Sequence, residues 1–434
     1  MQHQMYHGLI EEILDGPVVG GFLDRDFYDL TMGQFAFVYY PDVEVDFALT
    51  NRSVGRERLS DGITEQELGD ALATIRDARP GESDVRYIRG TTMGSDGMPM
   101  FRQDYVEHLR NPGPCEYQLG KRSDGEFDLH IIGKWSDALF GEVPTLAALS
   151  GLRMRNKFRH MNPFEREATI ATGIVRLQEK HRIIREHPGL TFTCFSTRRR
   201  FHRAWQRYAV HRTMEALGCQ FRGTSNVETS RDFDGIPMGT SSHQMFMVVA
   251  AIFSLIDGML RASHNIALQQ WFQLYGWELS IALTDAFGTD FFFRDFTPEQ
   301  AREWKGLRQD SGDPFEFARK AIAFYRKHGI NPLDKLIIFS DGLDADLIVR
   351  LWLEFEQQIK VTFGWGTLFG NDLGIPALSI VIKAVRARLN ANSPWMNAVK
   401  LTDNLNKAMG PKADIEHYRE VFGHTGTYAA ECRV

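Results

Sequence analysis

Four short apolar runs decide the fold: LSIALTD (Leu279–Asp285), KGLRQDSGD (Lys305–Asp313), KLIIFSDG (Lys335–Gly342) and KVTFGWGT (Lys360–Thr367). Each is closed by Gly, Ser, Thr or Asp. The steps from Asp285 to Asp310, Asp341 and Gly364 are about 20–30 residues, the length that a strand, a helix and two short loops require. The pattern predicts a βα series. Three runs upstream end in the same residue types: LTFTCFST (Leu190–Thr197), CQFRGTSN (Cys219–Asn226) and IPMGTSS (Ile236–Ser242). In α/β barrels the loops after the strand C-termini gather on one face and hold the site, with phosphate commonly bound after the last two strands. Polar residues at all seven run-ends are what such a face needs.

Residues 1–150 have a different texture. FYDLTMGQFAFVYY (Phe27–Tyr40) predicts a helix, VEVDFALTNRS (Val43–Ser53) a strand, RGTTMGSDG (Arg89–Gly97) a loop, and Phe127–Ile132 and the segment ending at Trp135 further strands. Helix and strand mix without regular alternation, as in an α+β domain. Residues 151–384 are then the barrel. The tail, 385–434, holds a polar insertion (RLNANSPWMN), a strand candidate (AVKLTD) and HYREVFGHTGTYAA, and is expected to return to the first domain.

Composition narrows the function. The chain has 434 residues and 50 Lys+Arg against 56 Asp+Glu, a net charge of −6. An extended polyanion-binding face is disfavoured; a local basic pocket is not. The longest mostly apolar stretch, Met245 to Ile256, reads as a buried helix, since a bilayer span needs about 20 residues. No secretory signal is visible at the N-terminus, so the cytoplasm is expected. Four scattered cysteines (Cys115, Cys194, Cys219, Cys432) and no His cluster at ligand spacing read as buried free thiols, with no disulfide framework and no structural metal site.

The run-ends carry the chemistry. Phe195 and Arg198–Arg200 follow one run directly, and guanidinium forks match phosphate or carboxylate. GTSNV (Gly223–Val227) and GTSSH (Gly239–His243) are turns that can cradle a phosphate. His243 follows Ser241-Ser242, natural N-cap residues, and so falls in the first turn of an apolar helix. There the dipole keeps the imidazole neutral and nucleophilic and favours any phosphate it acquires. Asp285, Asp310, Asp313 and Asp341 reach successive run-ends, where carboxylates beside arginines suit sugar hydroxyls and Mg²⁺-phosphate, although any one of them alone reads as a helix cap. FGWGT with Asn371-Asp372 supplies a turn that backbone and phosphate can share closely.

In order and spacing, DFYDLTMGQ, DFALTNRS, FSTRRRF, GTSNV, GTSSH, LTDAFGTDFFFRDF, GLRQDSGDP, FSDGLD and FGWGT…NDLG resemble nicotinate phosphoribosyltransferase, across residues 20 to 425. The resemblance implies a type II phosphoribosyltransferase fold: an irregular α/β barrel with an α+β N-terminal domain completed by the chain's end. It implies ATP-coupled joining of nicotinate to 5-phosphoribosyl 1-diphosphate, giving nicotinate mononucleotide and diphosphate on the way to NAD. Mg²⁺ would arrive bound to substrate and ATP would be a co-substrate. By motif, Phe195 stacks on the pyridine ring against Tyr28 of a second subunit, which makes a homodimer obligatory. Arg198 and Arg308 face the phosphates or the nicotinate carboxylate, Asp285 and Asp310 hold the ribosyl moiety, and Asp341, Gly342, Gly364 and Gly366 form the 5′-phosphate site. His243 matches the histidine that ATP phosphorylates. Similar proteins that use nicotinamide carry Asp where this chain has Ser225; a carboxylate there repels the nicotinate carboxylate, so serine favours the acid.

The chain departs from the family pattern at Asp29, Ser196, Gln244, Gln309 and Leu405-Asn406. None removes a residue assigned to the chemistry, but Gln244 and Gln309 bear on ATP coupling. The alternatives are the same fold acting on nicotinamide or another pyridine base, an inactive paralogue, a type I phosphoribosyltransferase, and a nucleic-acid-binding protein using the Arg198–Arg212 helix. The type I fold usually carries paired acidic residues where this chain has Ser340-Asp341. The nucleic-acid reading conflicts with the acidic balance.

Overall fold

The computed structural model describes residues 2–94, 97–426 and 429. Its strands, in chain order, are β1 (Glu44–Asn51), β2 (Thr92–Met93), β3 (Met98–Pro99), β4 (Cys115–Lys121), β5 (Phe127–Lys134), β6 (Phe192–Cys194), β7 (Phe221–Thr224), β8 (Ile281–Leu283), β9 (Gly306–Gln309), β10 (Leu336–Phe339), β11 (Lys360–Trp365), β12 (Ile380–Arg388) and β13 (Met396–Asn397). Two sheets carry the fold. One is antiparallel in the order β13-β12-β1-β5-β4, and the other is parallel in the order β7-β6-β11-β10-β9-β8.

The parallel order is consecutive around a ring. β6 to β11 each pair with their sequence neighbours, β11 pairs back to β6, and only β7 and β8 do not meet. This is an irregular α/β barrel with one open seam. The strands are short and apolar, and Phe339 and Phe363 stack at 5.8 Å across β10 and β11 in the core. The run Ile236–Ser242, expected as a seventh strand, forms none; it runs extended beside β7, its Met238 amide donating to the Thr224 carbonyl at 3.0 Å. Pro237 removes a donor there, and the next segment turns directly into the helix His243–Phe253.

In the antiparallel sheet β1 lies between β5 and β12; Val45–Phe47 are buried in a row, and buried and part-buried residues alternate from Phe47 to Asn51. The chain returns to this sheet at Ile380, five residues before the expected boundary at 385. The segment Phe127–Trp135 forms one strand, β5, ending at Lys134, and the helix Phe27–Tyr39 fits its predicted span. The stretch Arg89–Gly97 is not only loop, because Thr92–Met93 and Met98–Pro99 pair across it.

The tail does more than complete the first domain. After β13 the AVKLTD stretch forms no strand; it crosses the barrel mouth, held by the Lys400–Met409 bridge. The helix Lys412–Phe422 then packs on the barrel side, with Phe422 stacked on Phe287 at 4.1 Å. The insertion after Arg388 folds back so that Trp395 lies under the guanidinium groups of Arg386 and Arg388, at 4.8 and 4.5 Å. Among the described residues no helix is long and apolar enough to cross a membrane. Of the cysteines, Cys194 is buried, Cys115 part-buried and Cys219 exposed, so the expectation of buried thiols fails at Cys219; Cys432 lies outside the described residues.

Candidate active site

One cavity of about 170 Å³ opens where the parallel strands end. Tyr28, Phe195, Arg198, Ser225, His243, Arg308, Asp310, Asp341, Gly342, Gly364 and Gly366 all line it. Their elements explain the convergence. Phe195 leaves β6 with its amide bonded to the Trp365 carbonyl at 2.8 Å, and Ser225 leaves β7 with its amide on the Cys194 carbonyl at 2.9 Å. Arg308 and Asp310 come from β9, Asp341 and Gly342 from the end of β10, and Gly364 and Gly366 from β11 and its exit.

Tyr28 belongs to the same chain as the barrel it faces. Asp26 bridges to Asn226, the Phe27 amide donates to the Ser225 carbonyl at 2.7 Å, and a Cβ at Gly239 would lie 3.2 Å from the Tyr28 nitrogen. Within one chain, then, the turn before its helix docks on the barrel and places Tyr28 on the same cavity wall as Phe195, where the resemblance implies the Tyr28 of a second subunit.

His243 is the first residue of its helix, preceded by the extended Ser242, whose hydroxyl is buried and makes no bond. The helix N-terminus thus opens on the cavity with no side-chain cap, the His243 and Gln244 amides preceding its first backbone bond, from Met245 N–H to the Ser242 carbonyl at 3.1 Å, a natural anion site. Imidazole Nε2 lies 2.8 Å from Asp285 Oδ1, and Nδ1 is 3.7 Å from Asp310 Oδ2. Burial brings the imidazole down to about 4 despite both carboxylates, so it is neutral at pH 7. Asp285 is absent from the cavity wall and completely buried. It stands behind His243, and although burial opposes its charge, the Lys400 ammonium and the hydrogen bonds from His243 and Ser311 hold it well below the usual carboxylate range. His243, Asp285 and Asp310 are the one group of described residues with ligand atoms close enough for a metal, all within 4.8 Å. Ser311 and Thr402 both bond Asp285 Oδ2, so the group is joined as a hydrogen-bonded cluster.

Several wall residues were not picked out in the sequence: Asp26, Arg52, Lys383, Lys400 and Lys407; Arg199, named there with its neighbours, also lines the wall. With them, seven cationic side chains face three carboxylates across the cavity, in a chain whose net charge is −6. Lys407 from the C-terminal strap pairs with Asp341, and Lys383 is 2.8 Å from the buried Glu142. Burial brings Lys400 down to about 8, against the pull of Asp285 and Asp310. No run-end pattern marks these lysines, because they come from the returning tail.

Arg200 does not join the site. It is buried and forks onto Asp24 at 2.6 and 2.6 Å, with Gln206 at 3.0 Å, which ties the N-terminal turn to the barrel. Arg203, Arg207 and Arg212 pair with Glu228, Asp232 and Glu215, so the helix offers no uncompensated basic face to nucleic acid. Asp313 caps the helix Pro314–Lys327 through the Phe315 and Glu316 amides. Gly364 lines the cavity and leaves no room for a side chain: a Cβ there would lie 2.4 Å from the Phe195 ring. Ser225 donates to Asp26 Oδ1 at 2.6 Å, so a carboxylate does stand in this part of the wall, one residue pair away from where an aspartate at 225 would put it. Gln244 accepts from Trp135 Nε1 at 2.9 Å and donates to Glu142 at 3.2 Å; Gln309 donates to the Ser311 and Gly312 carbonyls. Both departures point away from the cavity, into the packing beneath it.

Residues 190–425 match the nicotinate phosphoribosyltransferase (NAPRTase) family, and residues 23–150 match the N-terminal domain of that family. Among solved structures, the chain is similar to nicotinate phosphoribosyltransferase from Vibrio cholerae, with 27% identity, a TM-score of 0.82, and 95% of this chain and 96% of that one covered. It is also similar to nicotinate phosphoribosyltransferase from Porphyromonas gingivalis, with 26% identity, a TM-score of 0.81, and 93% and 100% covered. Fold, motif order and the two matched regions agree, and the chain belongs to the nicotinate phosphoribosyltransferase family.

Proposed function

We propose that the chain joins nicotinate to 5-phosphoribosyl 1-diphosphate, with ATP hydrolysis coupled through His243, and releases nicotinate mononucleotide and diphosphate. The observation that carries this reading is the strongly cationic cavity with Phe195 and Tyr28 on its wall. Its charge suits a substrate with three phosphate groups and a carboxylate, and its rings suit a flat base.

The pyridine nitrogen attacks the anomeric carbon as the bond from that carbon to diphosphate breaks. The nitrogen lone pair is already a nucleophile, so no general base is required. Positive charge builds on the ribosyl ring in an oxocarbenium-like state, and Asp310 is the wall carboxylate placed to offset it. Although burial opposes its charge, the Arg308 and Lys400 cations hold Asp310 ionised below its ordinary range. Arg198, Arg199, Arg308, Lys400 and Lys407 neutralise the departing diphosphate. Asp310 and Asp341 are the hard oxygen donors that fit substrate-borne Mg²⁺, which would screen the same oxygens.

For ATP coupling, Asp285 Oδ1 accepts a hydrogen bond from Nε2–H of the neutral imidazole, and the Nδ1 lone pair takes the γ-phosphoryl group of ATP as its bond to ADP breaks; water later releases that group as phosphate. The amides of the first turn of the His243 helix stabilise the phosphoryl group while it is held. The excess of cations favours nicotinate, an anion, over nicotinamide, and Ser225 adds no charge against it. The test is turnover of each base with the phosphoribosyl substrate. Strong preference for nicotinate is expected; equal or better use of nicotinamide refutes the charge argument.

A further inference from the structure

Asp285 uses its two oxygens differently. Oδ1 faces His243 Nε2 at 2.8 Å, while Oδ2 accepts from Ser311 Oγ at 2.7 Å and Thr402 Oγ1 at 3.0 Å. The two hydroxyls are themselves 2.8 Å apart, and Lys400 Nζ stands 3.8 Å from Oδ2. Thr402 lies on the strap that crosses the barrel mouth, is completely buried and does not line the cavity.

Its backbone is strained. Thr402 sits at φ 60°, in the left-handed region that a β-branched residue rarely enters. Such a conformation persists only where the surroundings over-determine it. Here they do. The Thr402 carbonyl accepts from His424 Nε2 at 3.0 Å and the Asp403 amide donates to Ser311 Oγ at 3.2 Å. The Asp403 carboxylate takes the Thr289 amide at 2.8 Å and its hydroxyl at 2.6 Å. Glycine or asparagine fits that φ at less cost. What threonine adds at this position is the hydroxyl on Asp285.

We propose that Thr402 is a positioning residue for His243, acting through Asp285. By fixing Oδ2, its hydroxyl stops the carboxylate from turning, so that Oδ1 stays on the Nε2 proton and Nδ1 stays unprotonated toward Asp310. The strap thereby reaches the reacting histidine without touching substrate. The inference rests on the reading of His243 as phosphoryl acceptor.

The test uses the full chain with Thr402→Val, which keeps the branching and removes the hydroxyl, and Thr402→Ser, which keeps the hydroxyl. ¹⁵N-histidine NMR, with His243→Ala to assign the signal, reads the tautomer. Steady-state kinetics with ATP reads the rate. Thr402→Val is expected to lose the Nε2–H signature and to lower kcat about tenfold or more, with the KM for nicotinate within twofold. Thr402→Ser is expected to keep both the tautomer and most of the rate. Should Thr402→Val fold poorly, Ser311→Ala removes the other donor to Oδ2 and is expected to shift the tautomer in the same way. An unchanged tautomer in Thr402→Val, or a Thr402→Ser loss as large as that of Thr402→Val, overturns the proposal. If His243→Ala keeps its full ATP-dependent rate, the phosphoryl-acceptor reading falls. A tautomer shift in Thr402→Val is then still evidence for the positioning contact, so the two failures are distinguishable.

Discussion

Gly364→Ala is a one-methyl perturbation whose effect follows from geometry. The new Cβ would lie 2.4 and 2.5 Å from Cδ2 and Cε2 of Phe195, whereas carbon atoms rest at about 3.5–4.0 Å. The ring must retreat by about 1 Å or more. Its backbone cannot follow, because the Phe195 amide is bonded to the Trp365 carbonyl at 2.8 Å on the very strand that carries Gly364. The ring therefore rotates into the cavity, where the proposed pyridine plane lies. Base–aromatic stacking contributes about 1–3 kcal/mol by truncation, and 1.4 kcal/mol is a factor of ten. Losing it raises the KM for nicotinate roughly 5- to 140-fold. Gly364 has no left-handed φ, so alanine fits the backbone, and the melting temperature should move by only a few degrees. The assay varies nicotinate at saturating phosphoribosyl substrate, then the reverse. A KM for nicotinate within twofold of wild type refutes the reasoning. A change confined to the KM for the phosphoribosyl substrate would instead return Gly364 to the phosphate site that its motif suggests.

Lys400 is a cation below about pH 8 and loses that charge as pH rises through it, so the KM for the phosphoribosyl substrate should climb above pH 8 and the climb should be absent in Lys400→Met. A wild-type KM flat to pH 9 contradicts this. Arg200→Met leaves Asp24 buried without its partner and should cost about 3–5 kcal/mol in urea unfolding; a loss below 1 kcal/mol would show that the pair is dispensable. Because Tyr28 and Phe195 share one chain's cavity, specific activity should hold constant on dilution through any oligomer transition followed by light scattering. A fall in activity that tracks dissociation would show that a second subunit completes the site.

The barrel was legible because its strands are short apolar runs closed by polar turns, and the same turns named Phe195, Arg308, Asp310 and Asp341. Failures came where a residue's role depends on a distant partner. Arg200 looks like its two neighbours in sequence, yet Asp24, 176 positions away, takes it into the core. Lys383, Lys400 and Lys407 arrive from a tail whose alternation suggests only a strand. Ile236–Ser242 has the composition of a barrel run, but Pro237 interrupts its donors, no ladder forms there, and β7 and β8 stay unpaired across the seam. The side chain of Asp285 is directed by contacts with Ser311, Thr402 and Lys400, none of which is near it in sequence.

The most direct measurement is formation of nicotinate mononucleotide and diphosphate by the purified chain, with and without ATP, in wild type and His243→Ala. The geometry predicts equimolar products, a higher yield with ATP in wild type, and a variant that keeps ATP-independent synthesis while losing the ATP increment. No product from wild type, or an undiminished ATP increment in His243→Ala, contradicts the account.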